Sequence, residues 1–347
     1  MKQLTERQQE ILQILKVEEQ ISISKIKDLL SQKISQITLN RDLSLLVKNN
    51  FLKREGKGRA IRYIISDYYK VFELIDTTTY FDKEPDERIN SSTFNFTIFK
   101  LLTKVEVFNE LEKSKLVQLK SQYQKNINNI SPKIHQKELE RFTIEMSWKS
   151  AKIEGNTYSL LETEQLFKEK IEAKNKTREE AIMLLNHKDA LNYMLEYKSL
   201  AKTINIRFID EIHTILTKDL GITNNIRSRI VGITGTAYRP IDNEFQIKEA
   251  LQKLCDLINS KKNGFEKAML IIVLISYIQP FEDGNKRTAR MLGNAILIAN
   301  NSCPLSYRSV TVLDYKKAIL LFYEQNNLTL FKNLFIEQNT FAVENYF

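Results

Sequence analysis

Ala268 to Ile278, AMLIIVLISYI, runs for eleven residues without a charge or a helix breaker. A helix that is apolar on every side has to be wrapped by other elements. The run is also too short for a bilayer, which needs about 20 such residues. It therefore reads as the central helix of a packed core. It stops before Pro280, and a polar loop with one glycine follows. A second apolar helix then starts near Lys286 and continues through Met291, Leu292 and Ala295 to Ile298. With 9 Gly and 5 Pro in 347 residues, against many Leu, Ile, Lys, Glu and Asn, the composition points to a mainly α fold.

The loop between these helices, Gln279-Pro280-Phe281-Glu282-Asp283-Gly284-Asn285-Lys286-Arg287, carries the chemistry. N–H groups at the start of the second helix, together with its dipole, favour an anion there. Gly284 lets a ligand approach the backbone closely. Arg287 and Arg290 lie three apart on one helix face and offer two guanidinium forks to phosphate. Asp283 adds a carboxylate, and a carboxylate with phosphate oxygens is how Mg²⁺ is usually held.

The run resembles the signature of the Fic (Fic/Doc, Fido) family, H-P-F-x-[D/E]-G-N-[G/K]-R-x-x-R, and the likeness extends over roughly residues 95–340. The resemblance implies transfer of AMP from ATP to a hydroxyl side chain of a target protein. It implies Phe281 as the loop's anchor, Asp283 as the Mg²⁺ ligand, and Gly284, Asn285, Lys286 and Arg287 on the phosphates, with Arg290 on the γ-phosphate. The family's catalytic His is here Gln279, and a carboxamide cannot act as a general base. Glu282, His187 and His213 are the alternatives, although no sequence pattern places either histidine at the loop. Upstream, Ser150-Ala151-Lys152-Ile153-Glu154-Gly155 resembles the family's inhibitory motif [S/T]-x-x-x-E-[G/N]. Ser150 and Glu154 share one helix face, and the resemblance implies that Glu154 pairs with Arg290 and blocks the γ-phosphate. A break in the helical run at Gly221–Ile247 reads as a β-hairpin flap. Within it, Ile233, Thr234 and Tyr238 look like the edge that registers a target segment.

The charge points to a second partner. The net charge is +9, and Lys33 to Arg62 alone holds eight basic and two acidic residues. Thr5 can cap a first helix bearing Ile11, Leu12, Ile14 and Leu15. A short helix follows from about Ser24 to Ser31, with Ile26, Leu29 and Leu30 inward. Ser35 can cap a third, Gln36–Asn49, with Ile37, Leu39, Leu43, Leu46 and Val47 inward and Gln36, Thr38, Asn40 and Arg41 outward. Two strands joined at Lys57 and Arg59 make a basic wing. This resembles the winged helix-turn-helix of DeoR-type bacterial regulators, which implies DNA binding. The fold also permits protein contacts or dimerisation, so a homodimer stays open.

The organisation expected is a winged helix over 1–66, a connector over 67–93 with a short helix at Tyr68–Ile75, and a Fic domain over 94–347. In the last, helices are expected at Phe94–Gln124, Glu138–Ile153, Leu161–Ala173, Thr177–Leu200 and Thr203–Leu216. Cys255 and Cys303 give no disulfide framework, and the N-terminus has no leader-like apolar run, so a cytoplasmic setting without a membrane is expected. His135, His187 and His213 are too scattered for a zinc cage. Three readings follow: an autoinhibited adenylyltransferase weakened at Gln279, an impaired nucleotide-binding regulator that binds DNA, and a transcription factor with an inert helical domain.

Overall fold

The computed structural model describes residues 4–18, 20–88 and 91–347, and divides into two compact units, 1–75 and 76–347. In the first unit, helix α1 (Glu6–Val17) opens on a reciprocal capping box between Thr5 and Gln8. Strand β1 (Gln20–Ile21), α2 (Ile23–Leu29), α3 (Gln36–Lys48), β2 (Leu52–Glu55), β3 (Arg62–Ile65) and α4 (Asp67–Phe72) follow. Ser35 caps α3 through the Thr38 N–H. The sheet is antiparallel with order β1-β3-β2, and Lys53 faces Ile64. No pattern predicts β1, whose two residues carry no alternation of their own.

Ile11, Leu12, Leu15, Ile26, Leu39, Leu43, Leu46, Phe51 and Tyr63 form the core, and Tyr69 of α4 joins them. Buried Asp42 ties α3 to α1, accepting from Arg7 Nε at 2.5 Å and Gln8 Nε2 at 3.3 Å. Two expected core residues lie outside this core. Leu29, the last residue of α2, is exposed, and Ile37 is 82% exposed on the first turn of α3. A residue in a helix's terminal turn can overhang the core that its periodicity predicts it will enter. Thr38, expected outward, is half-buried, and its hydroxyl lies 2.9 Å from that of Ser35.

The second unit is helical, as expected. It comprises α5 (Thr77–Phe81), α6 (Thr97–Lys104), α7 (Glu110–Asn129), α8 (Pro132–Ile153), α9 (Leu160–Glu169), α10 (Arg178–Glu196), α11 (Ile206–Thr217), α12 (Glu244–Ser260), α13 (Gly264–Ile278), α14 (Asn285–Ala299), α15 (Val312–Gln325) and α16 (Thr329–Asn345). The single helix expected over Phe94–Gln124 is two. The chain breaks at Val105–Asn109, and Asn109 restarts it with a capping box to Glu112. Helix α13 is buried along almost its whole length, as its composition requires, and it pairs antiparallel-fashion through the loop with α14. Gly293 makes that approach possible, since a Cβ there would stand 2.6 Å from Ile272 Cδ1. Among the described residues no helix is long and apolar enough to cross a membrane.

The excursion expected as a flap runs out from Ile226, turns at Thr234–Gly235 and returns through Tyr238. Its regular pairing, among the described residues, is a parallel bridge from Arg239 to Thr93 and not a ladder between its own arms. The three-stranded sheet belongs to the first unit.

Candidate functional site

The loop after α13 owes its shape to two left-handed residues. Gln279 caps α13 at φ 52° and Gly284 precedes α14 at φ 80°. Asn285 closes the loop on itself: its Oδ1 accepts from the Phe281 N–H at 2.9 Å and its Nδ2 donates to the Phe281 carbonyl at 2.8 Å. Phe281 is fully buried and stacks on His213 at 3.6 Å between centroids. The Gly284 backbone is pressed onto α11, where a Cβ would meet Thr217 Cγ2 at 3.1 Å. Gly284→Ala should therefore combine positive-φ strain with a steric clash and cost about 1–3 kcal/mol. Thermal denaturation of the variant, compared with Gly293→Ala as a pure clash, measures it.

Helix α14 starts with no side-chain cap, so its first N–H groups remain available at the loop. Arg287 is buried, and its Nη2 reaches Asp283 Oδ2 at 3.3 Å. Its Nη1 is buried without a hydrogen-bond partner among the described residues. Burial pulls the Arg287 pKa down, against the opposing pull of Asp283 and Glu154. A guanidinium with an orphaned N–H beside an uncapped helix start is a seat for an anion. Asp283 is 70% exposed, with Oδ1 accepting from the Gly284 N–H at 2.6 Å. No three His, Cys, Asp or Glu gather into a metal cage among the described residues. An exposed carboxylate next to an anion seat suits Mg²⁺ held jointly by protein and phosphate.

Arg290 is held by α8 at all three nitrogens. Nε donates to Ser150 Oγ at 2.9 Å, Nη2 to the Ser150 carbonyl at 2.9 Å, and Nη1 to Glu154 Oε1 at 2.8 Å. Its guanidinium lies 5.2 Å over the Tyr315 ring. Lys286, expected on phosphate, reaches Glu154 Oε2 at 3.3 Å instead. Burial alone would raise the Glu154 carboxyl, but Arg290 and then Lys286 outweigh it and hold the pKa below the ordinary 4.5.

Gln279 spends its amide N–H groups inward, on the Ser276 carbonyl at 2.6 Å and the Tyr323 hydroxyl at 3.4 Å. Neither histidine substitutes for it. His213 Nε2 donates to the Asp283 carbonyl at 3.0 Å from beneath the loop, and burial drops its pKa to about 4. His187 lies behind Ser150 with its pKa pushed to about 3 by burial. Glu282 is exposed and accepts from the Thr223 hydroxyl at 3.1 Å.

The loop borders a cavity of about 310 Å³, whose wall includes Glu154, Ile233, Thr234, Gln279, Asp283, Arg287 and Tyr315. Ile233 and Thr234 are thus at the cavity wall. Tyr238, expected beside them at the flap's edge, is buried, stacked on Tyr277 at 4.8 Å and donating to the Tyr277 carbonyl at 2.9 Å. An aromatic ring beside a turn reads as a surface anchor, and here burial of the ring prevails. Arg227 gave no signal in the sequence. From a buried position it donates through Nε to the Gln279 carbonyl at 2.6 Å, through Nη1 to the Arg229 carbonyl at 2.7 Å and through Nη2 to the Ile241 carbonyl, and its backbone N–H donates to the Pro280 carbonyl at 3.0 Å. All these acceptors are backbone, which no residue pattern encodes.

Residues 203–297, which span α11 to α14, match the model of the Fic/DOC family. That segment is similar to the Fic/DOC domain. A relative, protein adenylyltransferase fic-1 of Caenorhabditis elegans, is 26% identical over 170 residues, 47% of this chain. The chain spans about a third of that relative's length (33%). A solved fragment of Fic-1 from C. elegans superposes with a TM-score of 0.59 at 19% identity, covering 72% of this chain and 80% of the fragment. A Fic domain containing signaling protein from Bacteroides thetaiotaomicron gives 0.54 at 22% identity, covering 66% and 96%. Both likenesses concern the fold alone.

Proposed function

We propose that the second unit is a Fic-type protein adenylyltransferase, taking AMP from ATP to a hydroxyl of a target protein, closed by Glu154 and weakened at Gln279. The observation that carries this reading is the orphaned Arg287 Nη1 beside an uncapped α14, with Arg290 in reach and occupied by Glu154. Arg287 and the α14 N–H groups would bind phosphate. Arg290 would take the terminal phosphate once Glu154 lets go, and Asp283 would hold Mg²⁺, which neutralises phosphate charge when bound. Gly284 keeps the backbone flush so that phosphate can approach. Ile233 and Thr234, at the cavity's edge, would align the target segment by strand-like pairing. Gln279 would hold its hydroxyl by hydrogen bonding without removing the proton. Incubating Glu154→Gly with labelled ATP, Mg²⁺ and candidate acceptor proteins tests the reading. Absence of both binding and label would end it.

A second reading, a nucleotide-binding regulator without transfer, is favoured by one feature: His187 and His213 are buried and held neutral, so neither supplies the imidazole base that Gln279 replaces. Wild-type protein that binds ATP yet labels nothing, even as Glu154→Gly, would decide for it.

We further propose that the first unit is a winged helix that binds DNA, with a cytoplasmic setting. The support is its charge excess and the face of α3 that it leaves to solvent, where Gln36, Ile37, Asn40, Arg41 and Lys48 are all exposed. Side chains of these types reach phosphates and base edges, and Ile37 suits a thymine methyl. Lys57 is exposed at the wing, while the Arg59 side chain lies outside the described residues. Arg41→Ala should weaken binding to random-sequence duplex about tenfold and flatten the salt dependence by roughly one phosphate. Ile37→Ala should leave both the salt slope and the melting temperature unchanged, because an exposed residue costs no more than about 0.5 kcal/mol. Fluorescence anisotropy across a salt series reads both. Anisotropy that stays flat for wild type would remove the DNA reading.

A further inference from the structure

Ser150 stands in the inhibitory motif, yet its contacts are not those of an inhibitor. Two of the three Arg290 nitrogens rest on Ser150, and only Nη1 rests on Glu154. Releasing Glu154 would therefore not free Arg290. It would leave the guanidinium docked on α8 with one N–H exposed toward the cavity.

The orientation of Ser150 is itself fixed. His187 Nδ1 lies 2.7 Å from the Met183 carbonyl, which can only accept, so that nitrogen carries the proton. His187 is fully buried and close enough to Arg287 and Arg290 for both to disfavour its protonation, so the ring is neutral and Nε2 has a lone pair. Ser150 Oγ, 2.9 Å away, donates its one proton to that lone pair. Its own lone pairs are then turned to Arg290 Nε. The chain of bonds runs from the Met183 carbonyl through His187 and Ser150 to Arg290, and every donor in it has one acceptor.

We infer that Ser150, oriented by His187, is a positioning residue that presents Arg290 to the terminal phosphate of a nucleoside triphosphate, and is not part of the lock formed by Glu154. This rests on the reading of the cavity as a nucleotide site. It makes a prediction of opposite sign to the motif's usual grouping. A residue of the lock, once removed, leaves an Arg290 N–H open to phosphate and tightens ATP. A positioning side chain, once removed, takes the Nε bond away, leaves Arg290 on the backbone carbonyl alone, and weakens ATP.

The measurement is calorimetric binding of ATP and ADP, each with Mg²⁺, to the full chain. In a Glu154→Gly background, Ser150→Ala should weaken ATP roughly tenfold or more, the usual worth of a hydrogen bond to a charged group. ADP, which lacks the terminal phosphate, should change less than about twofold on the same reasoning. Ser150→Thr keeps the hydroxyl and should restore the ATP-to-ADP ratio. His187→Ala should move the ratio in the same direction as Ser150→Ala. General damage to the helix would weaken both nucleotides alike, and tighter ATP binding on Ser150→Ala would place the residue in the lock. Either result overturns the inference while leaving the nucleotide site standing. If Glu154→Gly binds neither nucleotide, the nucleotide reading falls and this inference falls with it.

Discussion

Glu154→Gly should bind ATP ten to a hundred times more tightly than wild type, while ADP changes little. The Arg290 Nη1 bond to Glu154, 2.8 Å long and charged on both sides, is worth about 1.5–3 kcal/mol and has to break before phosphate can take its place. The same substitution should lower the stability of the second unit by about 3 kcal/mol, the low end for breaking a buried pair, since Ser150 keeps two of the guanidinium's bonds. The stability difference has a pH signature. The folded pKa of Glu154 lies below the ordinary 4.5, so its stabilising effect is complete above that pH. The effect is lost as pH falls through the lower, folded value. Melting curves of wild type and variant should therefore stay a constant distance apart from neutral pH to about 4.5 and converge below it. Curves that run together at pH 7 would show that Glu154 closes nothing.

Gln279→His, made together with Glu154→Gly, should raise label transfer by about 10²–10⁴-fold, the range a positioned general base contributes. The backbone favours the test: position 279 is left-handed at φ 52°, a region that histidine enters more readily than most residues. The imidazole would replace a side chain whose N–H groups now face the Ser276 carbonyl and Tyr323. A labelled-transfer gel with a lysate of acceptor proteins reads the result. If His at 279 binds ATP as tightly as Gln but transfers nothing, proton removal is not what the native chain lacks, and the regulator reading gains.

What was legible in the sequence was local. The loop from Gln279 to Arg290 announces itself because its chemistry sits in consecutive residues, and the i, i+4 spacing of Ser150 and Glu154 predicts a shared face without any tertiary knowledge. The buried α13 follows from composition alone. What escaped is long-range or terminal. Ile37 has the right period for the core but sits in the first turn of α3, beyond the core's edge. The break before Asn109 was masked by continuing apolar spacing, although the N-x-x-E that restarts α7 was there to be read. His187 reaches Ser150 across 37 residues, and no pattern in either segment foretells that meeting.

Arg227 holds the carbonyls of Gln279, Arg229 and Ile241 from one buried side chain, so both roots of the excursion over 230–237 are pinned to the loop they border. The intervening stretch has no regular pairing of its own among the described residues. Fixed roots with a span tied down at one inner point, the Gly235 carbonyl that accepts from Arg88 Nη1 at 3.1 Å, amount to an interchangeable cassette. Replacement or lengthening of 231–236 should alter what the cavity's rim accepts while leaving the phosphate seat at Arg287 undisturbed, whereas Arg227→Lys, which cannot fork to three carbonyls, should disturb both at once.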